Sequence, residues 1–159
     1  MIISLFSPFI IRLPFTLVPI ATQGTVVLLL AALLGSKRGA LAVLAFLFQG
    51  AIGLPVFAGG SAGVMALAGP CGGYLLGYVV GAYITGYLME RSSVRSASTS
   101  LMAMAVGNAA IFGFGWAWLS CFIGMKSALI GGVLPFLPGD LLKLLIATRS
   151  LKSLRFFNV

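Results

Sequence analysis

Apolar positions run in long blocks along this chain, interrupted at short intervals by glycine, proline or clustered bases, and the blocks lack a polar face. Helices that are apolar all round bury themselves in a bilayer or in one another. Spans are predicted from Ile20 to Gly35, Gly39 to Gly53, Cys71 to Met89 and Leu101 to Phe122. Two shorter blocks, Lys126–Leu134 and Pro138–Thr148, fall below the ~20 residues a crossing needs, so together they predict one broken final span. Between the blocks, Arg12–Pro19 reads as a loop, Ser36-Lys37-Arg38 as a tight basic turn, and Glu90–Ser100 as a polar, basic connection. Pro55–Pro70 holds Gly59, Gly60, Gly63 and Gly69 between two prolines, which predicts a loop folded over one face of the bundle.

Composition narrows the class. With 60% hydrophobic and 8% charged residues over 159 positions, the expectation is an all-α integral membrane protein forming a single transmembrane domain over residues 1–159. The net charge of +8 would fit nucleic acid only if the bases formed one patch. They are scattered at helix ends instead, so the lipid bilayer is the predicted partner and no nucleic acid is. Lys37 and Arg38, Arg91 and Arg95, and Arg149, Lys152 and Arg155 fall on alternate connections, hence on one side. By the positive-inside rule that side is cytoplasmic in the cell (inner or plasma) membrane.

The opposite side then gathers Arg12–Pro19, Pro55–Pro70 and a break at Pro135–Lys143. Irregular backbone at membrane depth is tolerated only where protein buries it or it lines a cavity, so a pocket open to the outside is predicted, which favours uptake. The same count puts the N-terminus outside unless another helix precedes Ile20. Met1–Ile10 reads as the end of such a helix, a first helix otherwise truncated.

Two acids in the whole chain, Glu90 and Asp140, frame the chemistry, and only Asp140 lies in an apolar segment. A charge at the bilayer centre costs roughly 2.5–3.5 kcal/mol on insertion scales, so it calls for a partner. Lys143, three residues on, shares a helical face with it. Pro135, Pro138 and Gly139 start a new helix with Asp140 in its first turn, beside free backbone N–H groups. That composition is either a binding site for a small polar or zwitterionic solute or a pair that neutralises itself and pins two helices.

Other polar and aromatic residues have two readings each. Gln23 is a ligand amide or a surface one. Tyr74 stacks on or hydrogen-bonds a ligand, or marks the membrane interface. Gly59, Gly60 and Ser61 would let backbone approach a ligand closely. Asn108 fits an interhelical hydrogen bond, and Trp116 and Trp118 an interfacial belt. Cys71 and Cys121 both fall toward the outer face, within conceivable reach of a disulfide. With no His, two Cys and no Cys-x-x-Cys, neither a metal site, nor a redox motif, nor a cofactor is expected. An intramembrane enzyme would need a nucleophile and a base, which Asp140 and Lys143 alone do not supply.

The stretch Leu134-Pro135-Phe136-Leu137-Pro138-Gly139-Asp140-Leu141-Leu142-Lys143 resembles the BioY family, as do Gly53–Gly63 and Gly69-Pro70-Cys71-Gly72-Gly73-Tyr74-Leu75-Leu76-Gly77. Val18–Gln23 and Gly35–Ala40 are also similar to family segments. These are biotin-binding membrane subunits (S components) of energy-coupling-factor (ECF) transporters. The resemblance implies a six-helix bundle that captures biotin tightly from outside and carries it inward, alone or with a coupling transmembrane subunit and ATPase subunits. It implies a substrate site around Asp140, Lys143, Gln23, Gly73, Tyr74, Gly59, Gly60 and Ser61. Asp140 would accept ureido N–H bonds, and Lys143 would pair with the ligand carboxylate or with Asp140. Another small vitamin on the same fold is the alternative ligand. Cys71 stands where the family motif carries Thr. In relatives the first helix is the surface that docks on the coupling subunit. No Gly-x-x-x-x-Gly-Lys-Ser/Thr run occurs, so ATP chemistry would belong to partners.

Overall fold

The computed structural model describes residues 3, 10–11, 20–21, 23–92 and 96–156. Expectations for Met1–Ile10, Ile3 and Ile10 aside, and for Arg12–Pro19 lie outside the described residues. Within them the chain forms helices α1 (Gln23–Leu34), α2 (Ser36–Ala51), α3 (Val64–Ala68), α4 (Gly72–Arg91), α5 (Ala97–Ile123), α6 (Met125–Gly132) and α7 (Leu137–Phe156). A 3-10 turn, Ala58–Gly60, precedes α3. One two-residue antiparallel pair, β1 (Ile10–Ile11) and β2 (Ile20–Ala21), sets Ile10 opposite Ala21.

Local chemistry explains where the helices begin and end. Ser96 caps α5, its hydroxyl accepting from the Thr99 N–H at 3.2 Å. Gly124, at φ +81°, takes the left-handed conformation that lets α5 turn directly into α6. Pro135 has no N–H to continue α6, and α7 restarts at Leu137 with Pro138 in its first turn, where a proline costs least. α6 and α7 therefore form a pair bent by 46°. α7 runs to Phe156 rather than stopping at Thr148, so the residues that follow Thr148, Ser, Lys and Arg among them, continue the helix. The basic turn is also tighter than expected, since Gly35 alone makes the corner and Lys37 and Arg38 sit in the first turn of α2.

α4 and α5 form the most extensive helix pair. A methyl at Gly77 would stand 3.0 Å from the Ile111 Cα, and one at Gly81 would stand 2.8 Å from the Gly107 carbonyl oxygen. Backbones this close exchange dispersion contacts along their length, the force left to membrane helices once lipid has removed the hydrophobic drive. The buried Thr85 hydroxyl adds a bond to the Ala103 carbonyl at 3.3 Å. Against this pair, Val27, Leu28 and Ala31 of α1 and Phe46 of α2 are buried.

Among the described residues, Ser98–Ile123 is the one helix long and apolar enough to cross a bilayer unaided, and the bent α6–α7 pair passes the same test when joined. α1 has 12 residues, and its first, Gln23, is part of the cavity described next.

Candidate functional site

Both ends of the bundle carry a carboxylate, with different surroundings. At the basic end the Glu90 carboxylate of α4 reaches the start of α2. It accepts from the Ser36 N–H at 2.8 Å and from the Ser36 hydroxyl at 2.7 Å, capping α2 from a neighbouring helix. Glu90 lies past the apolar run that ends at Met89. The Ser36 hydroxyl first, then the Ser36 N–H, hold its carboxyl below the ordinary value.

At the other end lies a cavity with about 100 Å³ open to the centre of a water molecule, and ≈ 760 Å³ when all empty space to its mouth is counted. Gln23, the first residue of α1, and Cys71, Tyr74 and Tyr78 at the start of α4 line it. The same two helices end at Leu34 and Arg91, near Ser36 and Glu90, so the cavity lies at the end away from the Ser36–Glu90 contact. The helix break supplies Phe136 and Asp140, α5 supplies Asn108, Ile111 and Phe112, and the 55–70 segment supplies Phe57, Ala58, Ser61 and Ala66.

Asp140 occupies the first turn of α7, half-buried. Lys143 Nζ donates to its Oδ1 at 3.3 Å, and Asn108 Nδ2 donates to its Oδ2 at 3.4 Å. Both contacts are long for charge-assisted bonds, which favour 2.7–2.9 Å, so the carboxylate keeps acceptor capacity toward the cavity. Gln23 is wholly buried and donates through Nε2 to the Val56 carbonyl at 2.9 Å. Tyr74 directs its hydroxyl away to the Gly132 carbonyl of α6 at 2.7 Å, leaving its ring to the wall. Ser61 donates to the Ala58 carbonyl at 3.0 Å and holds together the turn of the 55–70 segment, a strap along one side of the cavity.

Of the residues singled out from sequence, Asp140, Gln23, Tyr74 and Ser61 meet at the cavity. Lys143 stands behind Asp140 rather than on the wall. Gly73 packs against Trp118 and the Phe114 carbonyl of α5, so its missing side chain serves the helix contact. Gly60 is exposed at φ +75° with open space around it, and Gly59 lies in the same turn. Asn108 makes the expected interhelical bond and also faces the cavity. Trp118 Nε1 bonds the Gly69 carbonyl and Trp116 Nε1 the Met125 carbonyl, tying loop ends to α5. Cys71 and Cys121 are both free thiols.

Sequence reasoning missed Tyr78, one helical turn after Tyr74 on the same face, a spacing that was there to be read. It also missed Phe57, Phe112 and Phe136. Phe112 and Phe136 approach at 6.4 Å between ring centres, giving the polar end around Asp140 and Asn108 an aromatic flank. Such a site suits a compact molecule with hydrogen-bond donors at one end and an apolar body.

Comparison with known proteins points the same way. A family model described as the BioY family matches residues 1–157. A protein of Rhizobium etli named biotin transporter BioY is 39% identical over 146 residues, 86% of this chain and 78% of that one. A probable biotin transporter BioY of Pyrococcus horikoshii is 41% identical, covering 79% and 74%. A biotin transporter BioY of Thermotoga maritima is 38% identical, covering 86% and 80%. Among solved structures, the S-component for biotin from an ECF-type ABC transporter superposes with a TM-score of 0.88 at 28% identity, over 97% of this chain and 85% of that one.

Proposed function

The chain belongs to the BioY family, a membrane-protein family, and from that premise we propose that it is the biotin-binding membrane subunit of a biotin-uptake system. The observation that carries this reading is the cavity with Asp140 at its polar end and Phe57, Phe112 and Phe136 on its walls. Biotin presents a ureido ring with two N–H donors and one acceptor, a fused apolar ring, an aliphatic tail and a carboxylate. Asp140 accepts a ureido N–H, and the aromatic walls take the ring system and tail. Lys143, behind the carboxylate, balances its charge and fixes its orientation from outside the cavity. Gly59 and Gly60 belong to the strap that covers the ligand, and Gly73 supports the site through α4–α5 packing.

The orientation follows from charge. Lys37, Arg38 and Arg91 lie at the end opposite the cavity, so by the positive-inside rule the cavity faces outward in the cytoplasmic membrane. Energy for inward transfer comes from a coupling transmembrane subunit with ATPase subunits, of the kind an ECF-type relative implies. Isothermal titration of the detergent-purified chain with biotin tests the ligand, beside a panel of thiamine, riboflavin and other small vitamins. Saturable one-to-one binding of biotin alone is expected. No heat with biotin and saturable binding of another vitamin would replace the ligand and keep the fold.

A further inference from the structure

One buried side-chain atom among the described residues has no hydrogen-bond partner, and it is the amide oxygen of Gln23. A buried orphan carbonyl costs roughly 1–3 kcal/mol, so a native structure keeps one where something else is to donate to it. Gln23 sits on the cavity wall, fully buried, at the start of α1. The other half of the same amide is already used, because Nε2 donates to the Val56 carbonyl at 2.9 Å.

Val56 opens the segment that covers the cavity. The next residue, Phe57, is buried and meets Phe46 edge to face at 5.6 Å. Its N–H bonds the Ser61 carbonyl at 3.1 Å, and the Gly63 N–H bonds the Gly50 carbonyl at the end of α2 at 2.7 Å. Phe57, Ala58, Ser61 and Ala66 form one side of the cavity, so whatever fixes Val56 fixes part of the binding wall.

We infer that Gln23 is a latch: its amide oxygen receives a ligand N–H while its amide nitrogen holds the Val56 carbonyl, so that ligand binding fastens the 55–70 strap. Oxygen and nitrogen share one planar group, so a donor that claims the oxygen fixes the direction of the nitrogen. Without that donor, the Val56 bond alone sets the direction of the amide. The latch also sets a specificity rule, since a ligand lacking an N–H at that place leaves the oxygen unpaired and the strap loose. Gln23 is thus a positioning residue for the strap as well as a contact. The inference rests on the biotin reading of this cavity, whose ureido ring has a second N–H beyond the one Asp140 takes.

The test is hydrogen–deuterium exchange of the 55–70 segment in the wild-type chain and in Gln23→Met, with and without saturating biotin, alongside titration of both. In the wild type biotin is expected to slow strap exchange about 10-fold. In Gln23→Met, biotin affinity is expected to fall about 10-fold, and saturating biotin leaves strap exchange unchanged. Gln23→Asn keeps the amide but is one methylene too short to span ligand and strap. It is expected to behave like Gln23→Met, and it supplies the test if the methionine variant does not fold. Wild-type affinity in either folded variant, or equal slowing of the strap at saturation, overturns the latch. A wild-type chain that binds no biotin overturns the biotin reading and the latch with it, an outcome separated from the others by the wild-type titration alone.

Discussion

Glu90 and Asp140 are the chain's two acids, and their surroundings differ: one is engaged by a single neighbour, and the other lies beside a cavity. Glu90 is solvent-exposed and engages both oxygens at 2.7–2.8 Å with a single residue, Ser36, welding α4 to the start of α2. Asp140 is half-buried, and its two contacts, to Lys143 and Asn108, stretch to 3.3 and 3.4 Å on the rim of a cavity. A carboxylate meant only to hold helices together would close its bonds as Glu90 does. The acid that is more deeply placed, and so costlier to leave underused, is the one with spare capacity. Burial alone does not mark a site; burial with unspent hydrogen-bonding does.

This contrast is broken or sharpened most strongly at Asp140. Asp140→Asn removes the charge from the ligand's strongest hydrogen bonds, and biotin affinity is expected to fall about 100-fold in titration while the protein still inserts and folds. Wild-type affinity in that variant would return Asp140 to the same class as Glu90. Lys143→Ala leaves Asp140 without its ion-pair partner, and a loss of about 10-fold is expected. Because Lys143 is off the cavity wall, biotin and its neutral carboxamide should lose equally; a loss confined to biotin would put the ligand's carboxylate on Lys143. Asn108→Ala takes away one long bond to Asp140, and a smaller loss, about 3-fold, is expected.

Glu90→Gln is expected to change biotin affinity less than about 2-fold, since distant sites act independently. Its effect is on stability against pH. The folded carboxyl is held below its ordinary value by Ser36, so the stabilisation is present above that value and is lost as pH falls through the folded one. Thermal unfolding of the wild type should therefore weaken on acidification from about pH 5 downward, and Glu90→Gln should flatten that slope. An unchanged slope would mean that the Ser36 contact stabilises nothing.

Much of this layout was legible before any coordinates. The apolar block predicted to end at Gly35 became a helix ending at Leu34, and the half-helix before Pro135 ends at Gly132, because a glycine at positive φ or a missing N–H favours a stop. The ten-residue stretch around Pro138 and Asp140 showed both the helix break and the acid in its first turn. The strap's inner face was hidden, because an apolar loop residue such as Phe57 carries no period to say which way it turns. The use of Glu90 as a remote cap for α2 was hidden too, for it joins residues 54 positions apart. Gly73, placed in the substrate site by the resemblance, packs against Trp118, a helix contact that its sequence neighbours do not announce. At the end of the chain the apolar block stops at Thr148, while α7 continues through the polar residues after it, because a helix needs no apolar face to extend by about two turns.

The most direct measurement is a structure of the chain with biotin bound, at a resolution that tells the ureido ring from the carboxylate. The ureido ring is expected inside the cavity, with one of its nitrogens within about 3.2 Å of the Asp140 carboxylate. Biotin lying outside the cavity, or bound with its carboxylate end at Asp140 and Lys143 and its ureido ring elsewhere, would contradict it.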